Sequence, residues 1–443
     1  MILVYTPKIA NRIKYVVSLM LGNVLGLEWR LTNDKDEFVS FRGPKINYSK
    51  SSLKKDELHI PANGFLLERG VHYFLPETVH RGKLPLLFPV PKAKHDIPFD
   101  LFAATFYLVS RYEEYLPHKK DVHGRFEASE SFAYKNNFLN QAVVNHYAEM
   151  IKSLLKKKHP GYRFPSKGFS FIPTYDIDIA FAYKGRSLFR NVLGMLRSIG
   201  NIDYRSLLQR CRVLLGQEKD PFDTYDEQLS LYKKSGIKAY YFFLCGDYGP
   251  YDKNLAFFSR ELFTVIKKLG DYAHIGIHPS YRSNEEEGML KTELTRLSGI
   301  LKYDVQCSRQ HYLRLSMPHT YQNLLKHDIT CDFTMGYASQ SGFRASICSP
   351  YPFYDLETEK ETPLTIVPFA LMDGTLRDYL RLTPEGSMPV IDELIREVER
   401  VNGTFVTLWH NDSLGDAGEW RGWKETYLKM YWMATEKASK AKK

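Results

Sequence analysis

From residue 168 onward, short apolar runs at 168–175, 238–244, 273–277, 329–333, 364–369 and 404–409 alternate with stretches of helical periodicity. Few folds accommodate this order, because parallel strands need long crossovers and helices supply them. The last helix is the clearest, with Ile391, Leu394, Ile395, Val398 and Val401 at helical spacing. The pattern predicts an α/β layer or barrel with parallel strands over 166–443, and a count of about seven strands suggests an incomplete or distorted (β/α) barrel. Residues 1–165 read as a separate N-terminal α/β domain, ended by the turn-rich segment 159–165. The 443-residue length is sufficient for both. Within the first domain, 2–5 and 27–31 read as strands and 8–22 as an amphipathic helix. Residues 99–115 are apolar nearly all round, which marks a buried helix, and Glu113 and Glu114 at its end read as surface charges. A basic helical excursion near 186–216 carries Arg186, Arg190, Arg197, Arg205, Arg210 and Arg212. A lid, a partner-binding arm, a membrane-surface helix and a solvated basic face all remain open for it.

The charge argues against nucleic acid as a partner, since 61 basic residues are dispersed among 51 acidic ones. A modest preference for anionic partners, or peripheral contact with an acidic membrane surface, is as much as the formal charge of +10 suggests. Lysine runs at 156–158 and 437–443 read as solvated faces or a frayed end. Five cysteines without a C-x-x-C pair indicate neither a disulfide framework nor a cysteine zinc knuckle. Reduced thiols and a cytoplasmic location are the simplest reading. The apolar stretch 15–27 is too short to span a bilayer and is interrupted by Gly22 and Asn23, so no transmembrane segment is expected. Oligomeric state is left open.

The chemistry concentrates where apolar runs end. Asp176 and Asp178 are two residues apart in Thr174-Tyr-Asp176-Ile-Asp178, and on a strand they project from one face. Two carboxylates there carry a desolvation cost that a bound cation or a reacting substrate would offset; a pair of solvated turn aspartates is the plainer alternative. Three further strand ends carry polar groups, around His274 and His278, around Arg309, His311 and Arg314, and at His410. Residues distant in sequence meet when they lie at the same end of parallel strands. His274 and His278 are four apart, which on a strand separates them by roughly 13 Å, too far to share one ion. His278, at the strand exit, is the better ligand.

These segments resemble the polysaccharide deacetylase family, carbohydrate esterases that remove N-acetyl groups from amino sugars. Thr174-Tyr-Asp176-Ile-Asp178 is similar to the family's T-F-D-D motif, Ile275-Gly-Ile-His278 to the start of its H-x-x-x-H motif, and Leu408-Trp-His410 to its late L-x-H strand end. The whole chain further resembles a bacterial branch of the family with an extra N-terminal domain of unassigned function. The resemblance implies a distorted barrel, a carbohydrate substrate and a divalent metal cofactor, with zinc the best match. It implies Asp176 as general base and His410 as general acid. Asp178, His278 and His311 would then be the metal ligands, with Arg309 and Arg314 binding an anionic sugar or fixing the base. The chain departs from the pattern in three ways. Ile177 separates the two aspartates, Arg282 occupies the second histidine position, and the arginine-proline motif is not recognisable. Arg282 supports an alternative, a carbohydrate- or lipid-carrier-binding protein on the same scaffold. A metal-free glycosidase using Asp176 and Asp178 ranks below both, because carboxylates on one face cannot flank a sugar bond.

Overall fold

The computed structural model describes residues 1–90, 96–165 and 167–441. The sequence boundary at 165/166 and the last two residues of the 437–443 lysine run touch positions outside that range; within it, Lys437 pairs with Glu399 and Lys440 with Glu436. Strands β1 (Ile2–Tyr5), β2 (Trp29–Thr32), β3 (Lys45–Ser49) and β4 (Leu58–Pro61) form a parallel sheet in the order β2-β1-β3-β4. A hairpin, β5 (Thr78–Arg81) and β6 (Leu84–Leu87), follows. The helix Leu101–Val109 is buried along its entire length, capped by the Asp100 side chain on the Ala103 amide.

The second sheet contains β7 (Ser170–Ile177), β8 (Tyr240–Phe243), β9 (His274–Ile277), β10 (Cys307–Ser308), β11 (Cys331–Asp332), β12 (Tyr351–Asp355), β13 (Lys360–Ile366), β14 (Leu371–Met372) and β15 (Thr404–His410). Its order is β12-β13-β11-β10-β9-β8-β7-β15-β14, parallel except for the β12–β13 pair. The α/β alternation expected from the sequence is therefore present, but nine strands replace the expected count of about seven. The additional strands have a physical explanation. β10 and β14 are two residues each, too short to carry a periodic signal, and β12 contains Pro352 beside a register shift.

The sheet curls. In a flat sheet the β10 and β15 tips, four strand spacings apart in this order, would stand ~19 Å from each other. Here His311 after β10 and His410 at the end of β15 both approach Asp178 within 4 Å. Alternation then sorts the side chains. Ile172, Phe242, Phe333, Phe369, Val406 and Leu408 fill the concave side, while Phe171, Tyr175, Phe405 and Trp409 pack outward in the main core. Gly276 makes room inside, since a Cβ there would stand 2.6 Å from the Phe242 ring.

The N-terminal residues share that main core with the outer face of the curled sheet and pack on its β12–β13 end. Arg12 pairs with Glu359, and Tyr15 donates to the Pro352 carbonyl at 2.7 Å. Deeper in the junction, Glu114 accepts from Arg111 Nε at 2.7 Å and from Arg344 Nε and Nη2 at 2.9 and 2.6 Å. Glu113 accepts from the Phe132 amide and pairs with Arg111 at 2.9 Å. Reading these two glutamates as surface charges is thus overturned: both are buried, because Arg344 arrives from 230 residues away to neutralise the cluster.

Burial alone would raise the Glu114 pKa, but Arg344 and Arg111 outweigh it and bring the carboxyl down to about 2 from an ordinary 4.5. A depressed folded-state pKa gives stability that is complete above the unfolded value and lost as pH falls toward the folded one. Glu114→Ala should cost ~3–5 kcal/mol at neutral pH, as expected when one partner of a buried ion pair is removed. The gap from wild type should narrow as pH drops from 4.5 toward about 2, read as urea midpoints across that range.

Candidate metal and acid–base site

Asp176 and Asp178 leave β7 on its concave side, continuing the alternation of Ile172 and Thr174. Asp176 is buried, and its Oδ1 accepts from Arg309 Nη1 at 2.8 Å. Asp178 sits at the mouth with its side chain one-third exposed (33%). His278 follows β9 directly, with Nε2 3.1 Å from Asp178 Oδ1 and 3.8 Å from Asp176 Oδ2. His274 opens the same strand at the far end, stacked on Tyr240 at 4.5 Å. His311 lies in the turn after β10, with Nε2 3.5 Å from Asp178 Oδ2. His410 ends β15, with Nε2 3.9 Å from the same oxygen.

The hydrogen bonds of these imidazoles fix which ring nitrogen each turns toward Asp178. His278 Nδ1 faces the Arg309 carbonyl, His311 Nδ1 the Asp252 carboxylate at 2.8 Å, and His410 Nδ1 the Asp373 carboxylate at 2.8 Å. Each of those partners only accepts, so each Nδ1 must donate. In the neutral ring that leaves a lone pair on all three Nε2 atoms, and all three point at Asp178. Lone pairs facing a carboxylate repel unless protons or a cation lie between them. Consistent with that, Asp178 Oδ1 has no hydrogen-bond partner despite its approach to His278. Without a cation, protons make up the difference. Burial disfavours the His311 imidazolium, but Asp178 and Asp252 overcome it and push the group up to about 9. His410 also rises well above 6.5, because Asp373 and Asp178 outweigh its burial. Burial would raise the Asp178 pKa, yet His311, His278 and His410 hold it well below the usual carboxylate range.

Asp178, His278 and His311 offer one ligand atom each, all within 4.8 Å of one another. Two ligands ~2.1 Å from one tetrahedral ion stand ~3.4 Å apart; Asp178 Oδ1 has nearly that spacing from His278 Nε2, at 3.1 Å, and Oδ2 from His311 Nε2, at 3.5 Å. Imidazoles that donate their other ring N–H to a carbonyl or carboxylate are the usual surroundings of a bound metal. The residues therefore fit a divalent cation.

Two arginines lie around this set. Arg309 is completely buried and donates to the Phe333 carbonyl, Thr174 Oγ1 and Asp176 Oδ1 at 3.0, 2.7 and 2.8 Å. It lies beneath Asp176 with no exposed surface. Arg314 donates to the carbonyls of His123 and Tyr281 at 3.1 and 2.9 Å and lies over the Tyr281 ring, outside the cleft lining. There it braces the rim of the cleft. Arg282 points away, paired with Glu286 at 2.7 Å.

Asp252, Asp373 and Arg125 escaped sequence reasoning. Asp373 follows the two-residue β14, and Asp252 lies in a loop between β8 and β9. Arg125 comes from the N-terminal part and forms a wall of the ~300 Å³ cleft, together with Tyr251, Tyr312, Met372 and Leu408. Its Nη1 donates at 2.8 Å to the carbonyl of Tyr312, which has a left-handed φ of 58° beside Leu313 at 54°. Such conformations cost about 1–3 kcal/mol each and persist only when their surroundings impose them. Asp373 and Arg125 each adjoin a glycine, a signal too common to single out, and Asp252 has not even that.

The family described as "Family of unknown function (DUF7033)" matches residues 2–160. No curated protein matches the chain. Among solved structures, the chain is similar to a protein from Mycobacterium smegmatis provisionally described as a polysaccharide deacetylase, at 14% identity and a TM-score of 0.40, covering 61% of this chain and 86% of that one. It is also similar to Puue allantoinase at 11% identity and a TM-score of 0.38, covering 63% and 89%. For the polysaccharide deacetylase Bc1974 from Bacillus cereus the values are 10% and 0.28, covering 60% and 87%.

Asp252 reaches the proposed ligands only through His311 Nδ1, and its Oδ1 also accepts from the Tyr281 amide at 2.9 Å; asparagine keeps that acceptor and removes the charge behind the imidazole. Asp252→Asn should weaken divalent-cation affinity ~10–100-fold, measured by competition with a chromogenic chelator, and leave the circular dichroism spectrum unchanged.

Proposed function

We propose that the protein is a metal-dependent hydrolase that removes N-acetyl groups from an amino sugar or an acetylated polysaccharide. One observation carries the reading. A triad able to hold a cation, Asp178, His278 and His311, lies between a second carboxylate, Asp176, and a carboxylate-backed imidazole, His410. Amide hydrolysis needs this set, with a Lewis acid at the carbonyl, a base for water and an acid for the departing nitrogen. A zinc ion suits the mixed imidazole and carboxylate donors and would supply a polarised carbonyl and a more acidic water.

The remaining work falls to the chain. Arg309 occupies Asp176 Oδ1, so Oδ2 is the oxygen free to accept a proton from attacking water. His410 Nε2 faces the cleft, and Nδ1 is held by Asp373, which also accepts from the His410 amide at 2.8 Å. That double hold fixes the ring plane and the tautomer, leaving Nε2 to carry a proton to the leaving amine. Tyr251 and Tyr312 offer the cleft aromatic faces against which a sugar ring can lie.

The decisive measurement pairs metal analysis with release of free amine from N-acetylated oligosaccharides. Asp178→Asn should abolish both stoichiometric metal and turnover. His410→Ala should keep its metal and lose turnover by ~10²–10⁴-fold, the usual contribution of one positioned acid. Unimpaired turnover in both variants would exclude the assignment. Wild-type protein that takes up no divalent ion after supplementation would indicate the binding-protein alternative.

A further inference from the structure

The helices Leu188–Gly200 and Tyr204–Leu214 form a hairpin that leaves the sheet after β7 and turns its apolar side outward. On the first helix the buried positions are Asn191 and Ser198, and Gly194 lies against the Arg210 guanidinium. Those three polar or small residues share one face and make the inward contact. Leu188, Phe189, Val192, Leu193, Leu196 and Ile199 are exposed, Leu188 by 82% and Phe189 by 71%. At 100° per residue they fall within one arc of about 140°. A helix packed in a globular protein has the reverse arrangement. On the second helix, Tyr204 and Leu208 are exposed on the same face as Arg205 and Arg212. Phe258, 79% exposed in the loop that borders the hairpin, extends the apolar surface.

Charge identifies the occupant. Residues 186–216 hold six arginines against a single acid, Asp203. Arg190 stacks on Tyr248 and Arg210 on Tyr183, so both belong to the fold. Arg197, Arg205 and Arg212 are exposed and form no ion pair among the described residues. Arg197 lies at the edge of the apolar arc, and Arg205 and Arg212 are interleaved with apolar residues. Leucine and phenylalanine on the exposed face with arginine at its margin is the arrangement of helices that lie in the interfacial plane of an anionic bilayer. A second copy of this chain would have to meet the same cationic surface with its own.

We propose that this hairpin docks the protein onto the surface of an acidic phospholipid membrane, its apolar arc in the interface and Arg197, Arg205 and Arg212 against lipid phosphates. No helix among the described residues is long and apolar enough to cross a membrane, so the contact is peripheral. The loop that carries Phe258 also carries Tyr251 and Lys253, which line the candidate cleft. Docking therefore brings the cleft close to the lipid surface, and the inference stands whatever reaction the cleft performs.

Cosedimentation of the full chain with vesicles tests it. Phosphatidylcholine vesicles should leave the protein in solution, vesicles enriched in phosphatidylglycerol should carry it down, and added salt should weaken that binding. The variant Phe189→Ser/Leu196→Ser/Ile199→Ser and the variant Arg197→Glu/Arg205→Glu/Arg212→Glu should each lower partitioning on the order of tenfold or more. Every substituted residue is exposed, so folding and cation uptake should match wild type. Absence of binding to the anionic vesicles, or binding undiminished in the serine variant, would overturn the proposal. A dimer in sedimentation equilibrium that the serine variant dissociates, without vesicle binding by wild type, would assign the face to self-association and overturn it equally.

Discussion

One buried guanidinium organises the site. Arg309 enters the inside of the curled sheet, where Phe242, Phe333 and Phe369 surround it at 4.7, 5.7 and 5.6 Å. Its side chain ties the end of β11 to β7 through the Phe333 carbonyl, Thr174 and Asp176. Its own carbonyl receives His278 Nδ1. The same residue thus holds one carboxylate in place and fixes the tautomer of the imidazole beside it. A charge so deep is tolerable only because Asp176 balances it and aromatic faces accept the cation. The aromatic faces in turn depend on small neighbours. A Cβ on Gly276 or Gly336 would stand 2.6 or 2.2 Å from the rings of Phe242 or Phe369.

Around that anchor the imidazoles form a set that is incomplete on its own terms. Carbonyl and carboxylate partners use up every Nδ1 proton, and the remaining lone pairs converge on Asp178. The result is a fold-imposed preference for positive charge at one point, met by protons or by a metal. The N-terminal part participates too. Arg125 clamps the left-handed turn that follows His311, so a residue some 190 positions upstream stabilises the geometry of a candidate ligand. Buried ion pairs at Glu114 hold that part against the sheet.

How much of this could be read from the sequence follows from the range of each signal. Asp176 and Asp178 fall on one face by local geometry alone. The extended run through Gly276 separated His274 from His278, and the structure places them at opposite ends of β9. Arg309 was noticed, but its depth was not, because burial depends on which aromatic rings close over it. Asp252 and Asp373 went unnoticed because a single aspartate in a loop has no periodicity. The hairpin at 186–216 was visibly amphipathic, yet only coordinates could reveal that its polar side faces inward.

The sequence by itself determined the alternation of strand and helix, the burial of the helix after Pro98 and the side of β7 on which the carboxylates lie. These properties are set by spacings of 2 and 3.6 residues, which neighbouring residues encode. Tertiary structure decided the rest: how tightly the sheet curls, which histidines share an oxygen, which arginine disappears beneath Asp176 and which glutamates lose contact with water. Each of those depends on side chains brought together from more than a hundred positions apart, and no local pattern records which partner arrives.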